Sequence, residues 1–154
     1  MPHEFKVVNM EREDAAVVRF QCAPGQAGPH LGEAYGEIGG YLHELGLDHD
    51  DTKVFGRFLT LAPVQDVEAG FTVSRPIAPK GRVQPGVIPA GEAAMTTYVG
   101  PYSGLPAAGQ ALMAWIRETG REPGGPPLEV YVSDPAEVPE AEIRTDVYIP
   151  LKPR

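Results

Sequence analysis

The spacing of apolar residues divides the first half of the chain into a strand, a helix and two further strands. Residues 15–21 (AAVVRFQ) form a compact apolar run that ends at Ala23-Pro24-Gly25, which predicts a strand. Over residues 30–45, apolar positions recur three or four residues apart, which is typical of an amphipathic helix, and Gly46 supplies its end. Two strand-like runs, at residues 54–62 and 68–75, complete this half.

The same order of elements recurs in the second half, after a segment rich in Pro and Gly at residues 78–91. The predicted elements are a strand at residues 93–99, a helix at residues 103–119 that ends at Gly120, and strands at residues 128–133 and 143–151. In the helices, Ile38 matches Leu112 and Leu42 matches Ile116 at an offset of 74 residues. The next strand matches at an offset of 72 and the last strand at 74.

This repetition predicts a duplicated β-α-β-β fold. One such unit covers only one face of its sheet with a helix, so two units related by pseudo-two-fold symmetry are expected to join their sheets. The result is an α+β fold with an antiparallel sheet, helices on one face and a ligand cleft between the halves. We expect one domain over residues 1–154, with repeats at about 5–77 and 92–151 joined by the linker 78–91.

Charge and composition exclude several classes of protein. The 154 residues contain 13 Lys and Arg against 21 Asp and Glu, a net charge of −8, so we expect no direct binding to nucleic acid. No apolar stretch approaches the roughly 20 residues of a membrane span, and the N-terminus lacks the apolar core of a secretion signal. The single cysteine, Cys22, fits a reducing compartment. We expect a cytoplasmic protein, either a monomer or a homodimer.

One group of residues has the chemistry of a binding site. Alternation along residues 128–133 places the apolar positions against a helix and points Glu129 and Tyr131 the other way. The same pattern places Tyr148 on the Glu129 side, and Tyr98 ends another strand nearby. A carboxylate among aromatic rings suits a cationic ligand. The alternative is that Glu129 lies on a solvated face of the sheet with the tyrosines as amphipathic cover.

Metal and cofactor sites are not supported by the sequence. The run that contains His43, Asp48, His49, Asp50 and Asp51 lacks the glycine and glutamate of a calcium-binding loop, and its histidine spacing fits no zinc site. We therefore expect neither a metal nor a cofactor. Trp115 lies on the apolar stripe of the second helix, where a core position is the first interpretation and a ligand contact the second.

Four stretches of the second half resemble a known family. They are YVGPY at residues 98–102, AWI at 114–116 with Gly120, PPLEVY at 126–131 followed by DP at 134–135, and TDVYIPL at 145–151. Together they resemble the GyrI-like small-molecule-binding domain, a bacterial module that is also the effector-binding half of AraC-type and MerR-type multidrug regulators. The resemblance extends over nearly the whole chain. No helix-turn-helix fits before residue 15, so the chain resembles the stand-alone form.

The resemblance implies a cleft for amphipathic, often cationic aromatic molecules, centred on Glu129. Tyr131, Tyr148, Tyr98 and Trp115 would line it. Some stand-alone relatives hydrolyse strained, DNA-alkylating natural products and use the glutamate to activate water. At the offset of 72, the position that matches Glu129 in the first repeat is Arg57. If those two side chains met, they would neutralise the site and weaken a preference for cations.

Three functions follow as hypotheses. The first is a protein that binds a small aromatic or cationic molecule through Glu129, for sequestration or sensing. The second is a hydrolase of strained electrophiles in which Glu129 is the general base and Tyr131 or Tyr148 donates a proton. The third is a protein-interaction module like the gyrase inhibitor. The residues alone leave open whether catalysis follows binding.

Overall fold

The computed structural model describes residues 4–48 and 52–153. In that part of the chain, eight strands and two α-helices alternate with short turns. Their bounds are β1 Phe5–Met10, β2 Glu13–Cys22, α1 Ala27–Leu45, β3 Val54–Thr60, β4 Gln65–Thr72, β5 Gln84–Ile88, β6 Gly91–Val99, α2 Leu105–Glu118, β7 Leu128–Tyr131 and β8 Arg144–Pro150. Short 3-10 helices occupy Tyr102–Gly104 and Glu140–Glu142. None of the described helices is long and apolar enough to cross a membrane.

The chain forms two compact units whose sheets have equivalent strand orders, although the fourth strand comes last along the chain in one unit and first in the other. The N-terminal unit is Glu11–Pro89, and the C-terminal unit combines Met1–Met10 with Ala90–Arg154. The strand order is β3-β4-β2-β5 in the first and β7-β8-β6-β1 in the second, with every pairing within a unit antiparallel. The predicted α+β class, the antiparallel pairing and the repeated β-α-β-β order are confirmed. The cleft between the halves stays a prediction.

Each unit contains one strand that the sequence pattern does not predict. Strand β1 lies in the segment assigned to the first repeat, yet it pairs with β6 of the C-terminal unit. Strand β5 lies in the predicted linker and pairs with β2. Pro85 and Gly86 interrupt its apolar pattern, but Pro is tolerated in a strand at the edge of a sheet, which is the position of β5.

The two helices pack on their sheets through equivalent positions. In α1, Ala34, Ile38 and Leu42 are fully buried. In α2, the residues 74 positions later are buried in the same way, namely Ala108, Leu112 and Ile116. The offset predicted from the helices is therefore confirmed by packing. Helix α2 begins two residues later than predicted because a 3-10 turn precedes it.

Candidate functional site

Glu129 and Tyr131 lie on the face of the C-terminal sheet that carries α2. In the β7–β8 ladder, Glu129 is opposite Val147 and Tyr131 is opposite Thr145. Directly opposite residues of an antiparallel pair share a face, and Val147 belongs to the core beneath α2. The prediction that Glu129 and Tyr131 point away from the helix is therefore wrong. Leu128, on the other face, is 3% exposed, so apolar character alone does not distinguish the two faces of this strand.

Tyr148 lies on the opposite face from Glu129. It is opposite Leu128 in one ladder and Met95 in the other, which places it on the same face as Asp146 and Arg144. There the Arg144 guanidinium makes two contacts with the Asp146 carboxylate, at 3.1 and 3.2 Å. The prediction that Tyr148 shares the Glu129 side is wrong, because strand side chains alternate and Val147, its neighbour, faces α2.

The Glu129 carboxylate forms a hydrogen bond with Tyr131, its neighbour on the same strand face. The Tyr131 hydroxyl donates a hydrogen bond to Glu129 Oε1 at 2.8 Å. Burial raises the pKa of Glu129 above its ordinary value, and the hydrogen bond from Tyr131 opposes that rise. Within the described residues, no Lys, Arg or His forms an ion pair with Glu129. The ionised form of Glu129 is thus disfavoured until a cation compensates it.

Tyr102 joins this pair, although the sequence analysis did not select it. Its ring packs edge-on against the ring of Tyr131, with centroids 5.9 Å apart, and it remains 40% exposed. Its phenol pKa is raised, first by burial and then by the negative charges of Asp134 and Glu129. The sequence feature that could have identified Tyr102 is its position after Gly100-Pro101, directly before the second helix.

Tyr98 holds the turn that carries Tyr102. Its hydroxyl donates to the main-chain carbonyl of Pro101 at 2.6 Å, and its ring packs so closely on Gly104 that a Cβ there would overlap it.

Thr145 lies opposite both Tyr98 and Tyr131 and is fully buried. Its hydroxyl oxygen has no hydrogen-bond partner within the described residues. This face of the sheet therefore contains one unmet polar group beside the aromatic rings.

Trp115 contributes to packing on α2. Its ring stacks on Phe5 of β1, with centroids 5.6 Å apart and planes 22° from parallel, and it contacts the core of the C-terminal unit. This arrangement agrees with the core interpretation of Trp115. A contact between Trp115 and a ligand stays a prediction.

Arg57 is engaged within the N-terminal unit. Its guanidinium lies 3.1 Å from Glu68 Oε1, and both side chains are largely buried. Arg57 is opposite Glu68 in the β3–β4 ladder, on the face away from α1, whereas Glu129 lies on the face that carries α2. The two are therefore not equivalent positions, and the offset of 72 is wrong because a shift of one residue reverses the face of a strand. A ligand contact for Arg57 stays a prediction.

The residues considered for a metal do not form a cluster where they are described. Nowhere in residues 4–48 and 52–153 do three or more His, Cys, Asp or Glu side chains converge in a way that could hold a metal ion. His43 Nδ1 lies 2.8 Å from Asp48 Oδ2 at the exposed end of α1, and this contact raises the pKa of His43. His49, Asp50 and Asp51 lie outside the described residues.

Fold and site together define an α+β domain with a partly buried carboxylate beside tyrosines. The chain belongs to the GyrI-like family, because the model of the GyrI-like small molecule binding domain matches residues 3–152. Among proteins with curated descriptions, none matches this chain in sequence.

Solved structures share the fold. The EcmrR C-terminal domain is 19% identical to this chain, with a TM-score of 0.82, and the alignment covers all of both chains. The longer EcmrR chain in its DNA complex aligns with 99% of this chain, but this chain spans only 58% of that longer chain. SAV2435, solved with bound tetraphenylphosphonium, is 12% identical with a TM-score of 0.66 over 97% of this chain and 94% of that one. A hydrolase from Listeria innocua is 12% identical with a TM-score of 0.65 over 97% and 92%.

Proposed function

We propose that the protein is a cytoplasmic binding protein for amphipathic aromatic cations, which it sequesters or senses, with Glu129 as the charged anchor. The observation that carries this proposal is a carboxylate that is partly buried, bonded to the Tyr131 hydroxyl and without an ion pair among the described residues. An ionised carboxylate in such surroundings is stabilised by a cation that displaces its remaining water. Membership of a small-molecule-binding family supports the proposal.

The aromatic side chains support the same ligand class. Tyr131 and Tyr102 present rings beside the carboxylate, and the face of an aromatic ring attracts a cation. Apolar parts of a ligand would be covered by these rings while its charge is met by Glu129. SAV2435, which shares the fold, was solved with tetraphenylphosphonium, a large aromatic cation. That compound is accordingly the first probe for this protein.

Glu129→Gln is expected to weaken tetraphenylphosphonium binding by about 10- to 100-fold, because it removes a desolvated charge while keeping the shape of the side chain. Isothermal titration calorimetry of both proteins measures this ratio. Glu118→Gln, at an exposed position near the end of α2, is the matched control and should bind like the wild type. Equal affinities for wild type and Glu129→Gln would contradict the anchor role.

The pH dependence of binding gives an independent check of the same prediction. Because burial raises the pKa of Glu129, tetraphenylphosphonium binding should weaken as the pH falls through that raised pKa, where the carboxyl takes up a proton. The Tyr131 hydrogen bond lowers this pKa, so Tyr131→Phe should move the loss of binding to higher pH. An uncharged aromatic ligand should show neither effect.

Hydrolysis of a strained electrophile is the second candidate. A glutamate with a raised pKa is suited to accept a proton from water, whose oxygen then bonds to an electrophilic carbon as the strained ring opens. Tyr131 lies on the same face and would return a proton to the leaving atom, whereas Tyr148 lies on the other face. The relative from Listeria innocua that is described as a hydrolase supports this candidate.

An aryl epoxide distinguishes the two candidates when diol formation is followed by chromatography. A hydrolase should produce diol above the uncatalysed rate, and Glu129→Gln should lower the rate by about 100-fold, the usual contribution of a general base. Tyr131→Phe should lower it as well. If the wild type leaves the epoxide unhydrolysed, or if Glu129→Gln hydrolyses it as fast as the wild type, the hypothesis of Glu129-dependent hydrolysis is excluded. Binding then remains as the proposed function.

A further inference from the structure

The Tyr98 side chain is engaged by the turn between β6 and α2. Its hydroxyl donates a short hydrogen bond, 2.6 Å, to the main-chain carbonyl of Pro101. The same carbonyl accepts the N–H of Gly104 at 3.0 Å, the bond that closes the 3-10 helix Tyr102–Gly104. Tyr98 is therefore bonded to the oxygen atom on which this short helix closes.

The ring of Tyr98 accounts for the glycine at position 104. The φ of −87° and ψ of −7° at Gly104 lie in the right-handed helical region, which most residues adopt without strain. A Cβ on Gly104, however, would lie 2.7 Å from Cζ and 3.0 Å from Cε1 of the Tyr98 ring. The ring, and not the backbone, thus excludes a side chain at this position. The hydroxyl and the ring of Tyr98 both hold the turn.

The turn in question carries an aromatic ring of the candidate site. Tyr102 is the first residue of the 3-10 helix, and its ring packs edge-on against the ring of Tyr131, with the two planes 79° apart. The Tyr131 hydroxyl donates to Glu129 at 2.8 Å. Because 40% of Tyr102 is exposed, packing restrains its ring on one side only, and the conformation of the turn sets where the ring stands. Contacts therefore connect Tyr98, through the turn, to the anchor carboxylate.

We propose that Tyr98 is a positioning residue of the ligand site: it fixes the turn that presents the Tyr102 ring beside Tyr131, and it does not itself contact the ligand. This inference rests on the proposed function, because Tyr102 is one of the rings assigned there to the cation. A ring that is held in place before binding does not have to be ordered by the ligand. Loss of that advantage corresponds to about three- to tenfold in affinity.

Tyr98→Phe tests this role because it removes the hydroxyl and keeps the ring. It should weaken tetraphenylphosphonium binding by about three- to tenfold in calorimetry, since the turn loses its bond to the Pro101 carbonyl. Tyr102→Ala removes the positioned ring and should weaken binding at least as much. In the Tyr102→Ala background, Tyr98→Phe should cause no further loss, because the two changes act through the same ring.

The matched control for Tyr98→Phe is Tyr41→Phe. It removes a hydroxyl that donates to the main-chain carbonyl of Ala78 at 2.8 Å in the N-terminal unit, a bond of the same kind away from the candidate site. Tyr41→Phe should bind tetraphenylphosphonium like the wild type.

Gly104→Ala disturbs the same contact from the turn and leaves Tyr98 chemically unchanged. Its Cβ overlaps the Tyr98 ring, so this variant should weaken tetraphenylphosphonium binding as well. Gly109→Ala, in α2, is the matched control, because a Cβ there meets nothing within 4 Å. It should leave the affinity unchanged.

Nuclear magnetic resonance of the ligand-free protein measures the placement of the ring directly. In the wild type, nuclear Overhauser effects should connect the ring protons of Tyr102 and Tyr131, whose centroids are 5.9 Å apart. Tyr98→Phe and Gly104→Ala should weaken these effects, and the two control variants should retain them. A change in stability alone would not alter this signal, because it reports on the folded protein.

The outcomes separate the positioning role from the anchor. If Glu129→Gln weakens binding while Tyr98→Phe leaves the affinity and the Overhauser effects unchanged, the positioning role is wrong and the proposed function stands. If Tyr98→Phe still weakens binding in the Tyr102→Ala background, Tyr98 contacts the ligand itself and the inference is wrong. If tetraphenylphosphonium does not bind to the wild type, the proposed function fails, and this inference fails with it.

Discussion

Leu112→Ala is expected to lower the free energy of unfolding by about 3 to 4 kcal/mol, because it removes buried methyl groups and leaves a cavity beneath α2. Leu112 is fully buried in the core of the C-terminal unit. Ile38 occupies the equivalent position in α1 and is buried to the same extent, so Ile38→Ala should cost a similar amount. Urea unfolding followed by circular dichroism measures both values.

The matched control for this pair is Gln110→Ala, at an exposed position of α2. It should change stability by no more than about 0.5 kcal/mol, as surface substitutions usually do. A loss below about 1 kcal/mol for Leu112→Ala would show that α2 does not pack through this residue as the structure has it. A large loss at only one of the two positions would contradict their equivalence.

The helices were predictable because their signal is redundant. Three buried positions in each helix, spaced by about one turn, repeat at one offset, and a glycine with positive φ follows each helix, at Gly46 and Gly120. If one of these positions is assigned wrongly, the remaining positions still predict the same helix. The same redundancy explains why the α+β class and the order of the elements followed from the sequence.

Strand faces were not predictable to the same degree. Side chains in a strand alternate with a period of two, so a shift of one residue exchanges the faces completely. Leu128 and Val147 are both buried, yet they lie on opposite faces of the same sheet. When both faces bury apolar residues, alternation shows which positions share a face but not which face carries the helix. This ambiguity misplaced Tyr148 and made Arg57 the apparent counterpart of Glu129.

The sequence could identify only some residues of the candidate site, for a similar reason. Glu129 and Tyr131 could be selected from sequence because a carboxylate two residues from a tyrosine in one strand shares its face, where the structure shows them joined by a hydrogen bond. Tyr102 could not, since its contact joins a 3-10 turn to Tyr131, a strand residue 29 positions further along the chain. Contacts of this kind depend on tertiary packing, which local patterns do not encode.

Gly70→Ala is expected to lower the free energy of unfolding by about 3 kcal/mol, because the new methyl group has no room. Gly70 is opposite Phe55 in the β3–β4 ladder, and the Phe55 ring lies over it. A Cβ at position 70 would be 2.7 Å from Cε1 and 2.9 Å from Cε2 of that ring, well inside contact distance. Phe55 is fully buried, so its ring has no solvent-filled space into which to move. Thermal or urea unfolding measures the loss.

Two further variants separate overlap with Phe55 from a general effect of replacing glycine. Gly36→Ala lies in α1, where a Cβ meets nothing within 4 Å, so it should raise stability by about 0.5 to 1 kcal/mol. Phe55→Val shortens the ring side chain, so the double variant Phe55→Val with Gly70→Ala should lose less than the two single losses added together. Strictly additive losses would mean that Phe55 is not what the Gly70 methyl group meets, and the packing of β3 on β4 would need another explanation.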